Sequence, residues 1–354
     1  MLINPRTNQK RIVIAISIFI ASLLIFFSSG NAAAQETAAR QILKTDYWGT
    51  HWQKKPWIER LQPAPEKLLE YLNEQNKLDG FSEVPVAVMP VREMADVCKD
   101  ISLSLSPALN QLLNERLIGI FCVKDLGSSG FAEEISDESS RKSYAIIVLD
   151  RDILLKRKAN EWATWKENSI FQPKQSGGLR LQMTIAPEKD NTVQNAVRYL
   201  LLHELGHVLG LVSNVHPPWI PADKIISPNY SFMKLSWKPD NRGKSVSLFD
   251  DKFPERKKIR FYSFDKAQLT NDQLPVVYGN LQQSTNFVSL QASTNVWEDF
   301  AESFATYVHV LRDKKPWQVQ IENDKGGSTV INACWQEKRC AEKKIFLDRW
   351  FDKP

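Results

Sequence analysis

Five consecutive residues, His203-Glu204-Leu205-Gly206-His207, constrain this 354-residue chain more than any other segment. Residues four apart lie on the same face of an α-helix, one turn from each other. Two imidazoles in that arrangement can bind one Zn²⁺, and the carboxylate of Glu204 can reach a water on that metal. The segment therefore predicts two metal ligands and a general base, provided that it lies on a helix.

The sequence around this motif favours a buried helix. Asn191 or Thr192 can cap its start, and Gly210 suits its end. Apolar residues recur between them with helical spacing: Val193, Ala196, Val197, Leu200, Leu201, Leu205, Val208 and Leu209. Burying a glutamate in such a helix costs free energy unless the carboxylate has a partner. If His203 and His207 were ordinary core residues, the presence of Glu204 between them would be unexplained.

A catalytic zinc site needs a third protein ligand and an open position. Glu298 starts an amphipathic segment that runs to about Leu311 and has a regular apolar face: Phe300, Ala301, Phe304, Tyr307, Val308 and Leu311. Glu298 and Glu302 are four apart, so their like charges repel unless a cation lies near. A metal would supply that cation. The alternative is a solvated acidic first turn, which the helix dipole favours.

The two segments together resemble the gluzincin metallopeptidases, especially the lethal-factor-like branch, whose second motif has the form Glu-x-Phe-Ala-Glu-x-Phe. Here it is Glu298-Asp-Phe-Ala-Glu-Ser-Phe, and the resemblance covers roughly 203–210 and 297–307. It implies that Glu298 is the third zinc ligand. It also implies that Glu302 orients a metal-bound histidine ring, as such rings usually require.

The chain departs from this family pattern in two ways. A stretch of 91 positions separates His207 from Glu298, so a large insertion lies between them. The tyrosine that some relatives place shortly before the third ligand is missing, because 287–297 contains none. The residue that would polarise the scissile carbonyl is left open among Tyr278, Tyr262 and Tyr307.

An alternative third ligand is His216, which follows His207 by nine residues. The arrangement resembles the metzincins, whose motif continues as His-x-x-Gly-x-x-His. The histidine of that pattern would fall at Ser213 here. A chain that turns at Gly210 could still bring His216 to the metal, so a metzincin-like enzyme is a second hypothesis.

The N-terminus has the pattern of a secretory signal peptide. Lys10-Arg11 precede an apolar run over 12–27, and the small residues Ala32-Ala33-Ala34 follow it. We predict cleavage after about Ala34 and export to the periplasm or medium of a bacterium. The alternative is an uncleaved anchor over 12–34, which would place the protein at a membrane.

Charge and cysteine content agree with an exported protein. Loss of 1–34 removes three positive charges and lowers the net charge from +5 to +2. Nucleic acid as a partner therefore has no electrostatic support, and a peptide or protein substrate is expected. Nearness in sequence favours two disulfides, Cys98–Cys122 and Cys334–Cys340. The chain has no Cys-x-x-Cys spacing, so the cysteines are not predicted to bind zinc.

The order of predicted elements indicates an α+β, zincin-like fold. We expect a small mixed sheet, with an exposed edge strand at 179–185 packed on the metal-binding helix, and a mainly helical C-terminal lobe. The polar stretch 125–141 is predicted to be a loop. The predicted divisions are the signal peptide 1–34, a Trp-rich and helical segment 35–80, a sheet lobe 81–212, and a C-terminal lobe 213–354 with insertion, third-ligand helix and disulfide-stapled tail.

These patterns predict an exported zinc metallopeptidase in which His203, His207 and Glu298 hold Zn²⁺ and Glu204 is the general base. Glu302 supports the site from behind. The competing hypothesis from another class is a non-catalytic binding or scaffold protein of the cell envelope that keeps the zincin fold.

Overall fold

The computed structural model of the chain describes residues 38–78, 80–137, 142–172, 178–219, 229–263 and 266–352. Its architecture is mixed α+β, with a small mixed sheet and a mainly helical C-terminal region, which confirms the α+β part of the predicted fold class. The predicted signal segment 1–34 lies outside these ranges. Within them, no helix combines the length and the apolar composition needed to cross a bilayer.

A mixed sheet forms the N-terminal half of the core. Its strands are β1 (Leu61–Pro63), β2 (Val86–Ala87), β3 (Leu117–Lys124), β4 (Gly130–Ser136) and β5 (Ser143–Asp150). They are ordered β1-β3-β5-β4, with β1, β3 and β5 parallel, β4 antiparallel at one edge, and β2 paired with the end of β3. The central strands β3 and β5 are almost entirely apolar and buried, as expected of parallel strands covered on both faces.

Helices cover the sheet and build the rest of the fold. They are α1 (Thr45–Trp48), α2 (Glu66–Leu78), α3 (Arg92–Ser104), α4 (Pro107–Arg116), α5 (Arg151–Leu154), α6 (Ala159–Asn168), α7 (Val193–Val212), α8 (Leu274–Ser284), α9 (Val296–Tyr307) and α10 (Ala341–Phe351). Thr192 caps α7 by accepting a hydrogen bond from the Asn195 N–H. Every residue of α7 from Ala196 to Leu211 is buried, because this helix contacts β4 and β5, α3, α4, α6 and α9.

Short strands complete the fold: β6 (Phe171–Gln172), β7 (Arg180–Thr184), β8 (Trp237–Pro239), β9 (Ser245–Ser247), β10 (Leu269–Thr270), β11 (Gln318–Glu322) and β12 (Ser328–Asn332). β7, β11 and β12 form a separate antiparallel sheet in the order β12-β11-β7. The strand that directly precedes the metal helix therefore pairs with the C-terminal part of the chain, not with the mixed sheet.

This preceding strand lies at the edge of its sheet, as predicted, but the prediction that the edge is exposed is wrong. Side chains spaced four apart on α6 hydrogen-bond the outer backbone of β7 and its extension: Asn160 to Ile185 (2.8 Å), Thr164 to Met183 (2.9 Å) and Asn168 to Leu181 (3.0 Å). Because one helix face satisfies these backbone groups, they are not available to a peptide.

The strand at the edge of the mixed sheet is β4, in the stretch that we predicted to be a loop. Phe131 and Ile135 point into the core, and the Tyr71 hydroxyl donates a hydrogen bond of 2.7 Å to Glu133. A Cβ at Gly130 would lie 2.8 Å from the Val148 carbonyl oxygen, so only glycine allows this approach to β5. Polar residues of the strand thus have protein partners that its sequence does not reveal.

One predicted disulfide is present and the other is not. Cys334 and Cys340 are joined just before α10. Cys98 on α3 and Cys122 on β3 are separate thiols, contrary to the prediction, and both are buried in the main core. Burial raises the pKa of each thiol to about 12. Nearness in sequence therefore identified the pair that is six residues apart, but it did not hold for the more distant pair.

Candidate metal centre

The site is built where α7 and α9 touch. A Cβ placed on Gly206 would lie 2.8 Å from Cα and 2.9 Å from the carbonyl oxygen of Ala301, so the two helix backbones are in direct contact there. His203 and His207 lie one turn apart on α7 around this point. Glu298 lies in the first turn of α9, where the Asn295 side chain accepts hydrogen bonds from the N–H groups of Trp297 and Glu298.

Three side chains at this contact could hold a metal ion: His203, His207 and Glu298. The two Nε2 atoms are 3.1 Å apart. Glu298 Oε2 is 3.3 Å from Nε2 of His203, and Oε1 is 3.5 Å from Nε2 of His207. Zinc–ligand bonds of about 2.0–2.1 Å place the ligands of a tetrahedron roughly 3.3–3.4 Å apart. Each histidine is thus at about this spacing from the other and from one oxygen of Glu298, so the three side chains could hold one small cation.

A second carboxylate lies behind the first histidine. Glu302 Oε1 is 2.9 Å from Nδ1 of His203, on the side of the ring opposite the ligand cluster. Its other oxygen accepts a 2.8 Å hydrogen bond from the Ser289 hydroxyl. Such a contact fixes the ring orientation and leaves Nε2 free to bind a metal.

A buried lysine balances this carboxylate. Lys166 of α6 has its Nζ 3.4 Å from Glu302 Oε1, and both side chains are at most 9 % exposed. Burial opposes the charged form of Glu302, but Lys166 and His203 outweigh it and lower the pKa of Glu302 to about 2. Glu302 is thus an anion that can only accept hydrogen bonds from its neighbours.

The charges of Glu298 and Glu302 also act on His203. Burial disfavours a charged His203, yet Glu298 and Glu302 raise its pKa to about 10. The pKa of Glu298 is held well below its usual range, because the two histidines outweigh the effect of burial. The protein thus gathers negative charge around two imidazoles, an arrangement that favours a cation.

Glu204 is not part of the group that could hold a metal ion. Its side chain is buried, and Oε2 has no hydrogen-bond partner among the described residues. Burial raises the pKa of this carboxyl, while His203 and His207 oppose the rise. A carboxylate of raised pKa that lies beside the ligand cluster can take up and release a proton.

One residue in the site has no counterpart in the sequence-based prediction. Gln291, in the turn before α9, donates a 2.7 Å hydrogen bond from Nε2 to Glu298 Oε2. The same nitrogen is 3.5 Å from His203 Nε2. A lone glutamine in a polar turn gives no sequence signal of this kind. Lys166 could have been noticed, since it shares an apolar helix face with Trp162 and Ala163.

The alternative third ligand lies outside the cluster. His216 is buried, with Nδ1 2.8 Å from the Pro217 carbonyl oxygen. Its Nε2 faces the backbone of α7, where a Cβ on Gly210 would lie 2.3 Å away. The metal-binding group of the described residues comprises His203, His207 and Glu298, so the metzincin-like hypothesis finds no support in this geometry.

Two of the three candidate tyrosines are occupied elsewhere. The Tyr278 hydroxyl donates to Glu167 (2.5 Å), and the Tyr307 hydroxyl donates to Asp348 (2.6 Å). Tyr262 lies nearer the site. Burial raises its pKa, Lys166 opposes this, and Glu204 and Glu298 contribute to the rise.

The cluster is closed on the histidine side and open on the glutamate side. The side chain of Glu298 is 23 % exposed, against 5 % for His203 and 10 % for His207. Among the described residues, the cluster is therefore most accessible from the side of Glu298. Comparisons of the chain with models of protein families, with curated proteins and with solved structures found no match.

Proposed function

We propose that the protein is a zinc-dependent metallopeptidase of the gluzincin type. One observation carries the proposal: the Nε2 atoms of His203 and His207 are 3.1 Å apart, each lies within 3.5 Å of one carboxylate oxygen of Glu298, and a buried glutamate follows the first histidine. This is the donor set of a catalytic zinc site, with three protein ligands and room for a fourth partner. Two imidazoles and one carboxylate suit zinc, and the glutamate that follows the first histidine favours zinc because hydrolytic zinc sites use such a base.

When bound, zinc would supply a Lewis acid and lower the pKa of a water to near neutrality. His203, His207 and Glu298 hold the cation, and Glu302 fixes the His203 ring. Glu204 accepts a proton from the attacking water through its free Oε2 and passes it to the leaving amine. The products are a carboxylic acid and an amine, so one water is consumed for each peptide bond cleaved.

The buried, unpaired oxygen of Glu204 also argues against a non-catalytic scaffold. A buried polar atom without a partner costs about 1–3 kcal/mol. A binding protein would gain stability by replacing such a group with an apolar residue. An enzyme keeps it, because the group acts on the substrate.

We also propose that the protein is exported. The Lys10-Arg11 start, the apolar run over 12–27 and the Ala32-Ala33-Ala34 site form a signal peptide pattern. The Cys334–Cys340 disulfide is of the kind that persists in an oxidising compartment. Its substrate would then be a peptide or protein outside the cytoplasm.

Two substitutions separate the base from the ligand. Glu204→Gln should keep zinc affinity within about threefold of the parent and lower peptide hydrolysis by at least about 100-fold, because only proton transfer is lost. Glu298→Ala should lose both zinc and hydrolysis. Glu342→Gln, an exposed position on α10, is the control and should behave as the parent.

Zinc content by atomic absorption and digestion of a peptide library measure the two properties. If Glu204→Gln cleaves the library as fast as the parent, the proposed mechanism is wrong. If the zinc-loaded parent cleaves no peptide, the proposed peptidase activity is wrong.

A further inference from the structure

Gln291 is held rigidly beside the ligand cluster. Its backbone carbonyl accepts hydrogen bonds from the Thr294 N–H (3.0 Å) and the Thr294 hydroxyl (2.8 Å). This turn leads directly into the capping residue Asn295 and the first turn of α9. The side chain therefore has a fixed starting point, seven residues before Glu298.

Two hydrogen-bonding functions of the Gln291 amide, the second N–H of Nε2 and Oε1, have no strong partner in the protein. One N–H of Nε2 is engaged with Glu298 Oε2 at 2.7 Å, and the second faces only His203 Nε2, at 3.5 Å, whose lone pair a bound metal would take. Oε1 is buried and has no partner among the described residues. A residue that served only to orient Glu298 would gain by having its acceptor satisfied within the protein, since an unpaired buried acceptor costs free energy.

An extended peptide offers the complement of these two functions. In an extended strand, the N–H and the C=O of one residue project from the same edge of the backbone. A carboxamide can therefore form a hydrogen bond with each of them. Tyr278 and Tyr307 are bonded to carboxylates elsewhere and do not compete for this role. Gln291, in contrast, already has its nitrogen within 3.5 Å of His203 Nε2.

We propose, on the basis of the proposed peptidase function, that Gln291 is a catalytic residue that binds the substrate residue carrying the scissile carbonyl. The second N–H of Nε2 donates to the carbonyl oxygen, and Oε1 accepts from the N–H of the same residue. Negative charge builds on that oxygen as water attacks, so the hydrogen bond strengthens in the transition state. The substrate is accordingly an extended peptide backbone.

The test compares Gln291→Leu with Gln283→Leu, an exposed glutamine on α8. Leucine is similar in size and has neither donor nor acceptor. We expect Gln291→Leu to keep the zinc dissociation constant within about threefold, measured by competition with a chromophoric chelator. Its kcat should fall about 100-fold, the usual effect of losing one donor to the reacting oxygen. Gln283→Leu should match the parent in both measurements.

A different result would give Gln291 a positioning role only. In that case zinc affinity falls tenfold or more, as for residues that orient a ligand, and kcat recovers at saturating zinc. That outcome overturns the inference while leaving the peptidase proposal intact.

A second measurement does not depend on hydrolysis. Acetohydroxamate binds a metal through its carbonyl oxygen and its hydroxamate oxygen and keeps an N–H that can donate a hydrogen bond, and its dissociation constant can be measured calorimetrically on the zinc-loaded protein. Gln291→Leu should weaken it about tenfold, the order expected for a hydrogen bond to a charged group. Equal affinities for parent and variant would overturn the inference, even if the parent cleaves no peptide.

Discussion

At the scale of single residues, the site depends on charges that are buried in pairs. Lys166 and Glu302 are 7 % and 1 % exposed, so neither can rely on water for solvation. Their contact of 3.4 Å, together with Ser289 and His203 on the other side of Glu302, replaces that water. Removing one partner therefore leaves an isolated charge in the interior, which is much worse than removing both.

This argument predicts the outcome of a double-mutant cycle. Lys166→Met should lower the free energy of unfolding of the zinc-free protein by about 3–5 kcal/mol. The same change in a Glu302→Gln background should cost at least about 1 kcal/mol less, because no charge is left unpaired. Lys344→Met breaks a half-exposed pair with Asp348 on α10 and should cost at most about 0.5 kcal/mol.

Urea unfolding monitored by tryptophan fluorescence measures the parent and the four variants. Additive effects of Lys166→Met and Glu302→Gln would show that the two side chains do not stabilise each other. If Lys344→Met lowers the free energy of unfolding as much as Lys166→Met does, burial does not explain the loss of stability in Lys166→Met.

At the scale of elements, the site exists because α7 and α9 touch without side chains between them. Gly206 is the residue that permits this, since its missing Cβ leaves room for the Ala301 backbone. The contact brings the first turn of α9 to the level of the two histidines. Glu298 would be carried away from His203 and His207 if the helices moved apart by the thickness of a methyl group.

We therefore expect Gly206→Ala to damage both stability and metal binding. Overpacking at a helix contact costs about 1–3 kcal/mol, and displacement of Glu298 should weaken zinc binding at least tenfold. Gly279→Ala is the matched control, because a Cβ there has nothing within 4 Å and lies on a helix. Alanine should stabilise that position by about 0.5–1 kcal/mol.

Thermal unfolding and zinc competition distinguish these outcomes. A Gly206→Ala variant that binds zinc as tightly as the parent would show that the contact is not required to place Glu298. If Gly279→Ala lowers the free energy of unfolding, the higher helix propensity of alanine does not determine stability at that position.

Local patterns predicted the elements that carry the ligands, and tertiary contacts decided the rest. Helix α7 could be predicted because its capping residue, its helical spacing of apolar residues and its His-Glu-x-x-His motif all agree. Glu298 could be predicted because its motif resembles that of a known family. β4 was missed because its polar residues find partners such as Tyr71, far away in sequence. Lys166 and Gln291 acquire their roles only when α6 and the turn before α9 meet α7.

At the scale of the whole molecule, the centre joins parts that are far apart in the chain. Lys166 and His203 precede the long stretch between His207 and Glu298, and Gln291 lies close to its end, yet one apolar core includes residues on both sides of that stretch. The ligand cluster can therefore form only when the chain is folded, and zinc should stabilise the fold by mass action. Groups buried next to the centre likewise link its stability to pH.

The clearest of these linked groups is Glu167 on α6. Burial raises its pKa to about 7, although Lys166 and the hydrogen bond from Tyr278 oppose the rise. The folded state thus binds a proton more tightly than the unfolded state, in which the pKa is near 4.5. The contribution of this group to stability is complete below pH 4.5 and is lost as pH rises toward 7, to an extent of about 3 kcal/mol.

Glu167→Gln should remove this dependence, since a neutral amide oxygen can still accept the Tyr278 hydroxyl. Relative to the parent, we expect the zinc-free variant to gain up to about 3 kcal/mol between pH 4.5 and pH 8, measured by urea unfolding at both values. Glu93→Gln, at an exposed position on α3, should show no such gain. A constant difference between parent and Glu167→Gln at the two pH values would mean that Glu167 titrates as it does in the unfolded chain. Burial beside the metal centre would then impose no proton linkage on the fold.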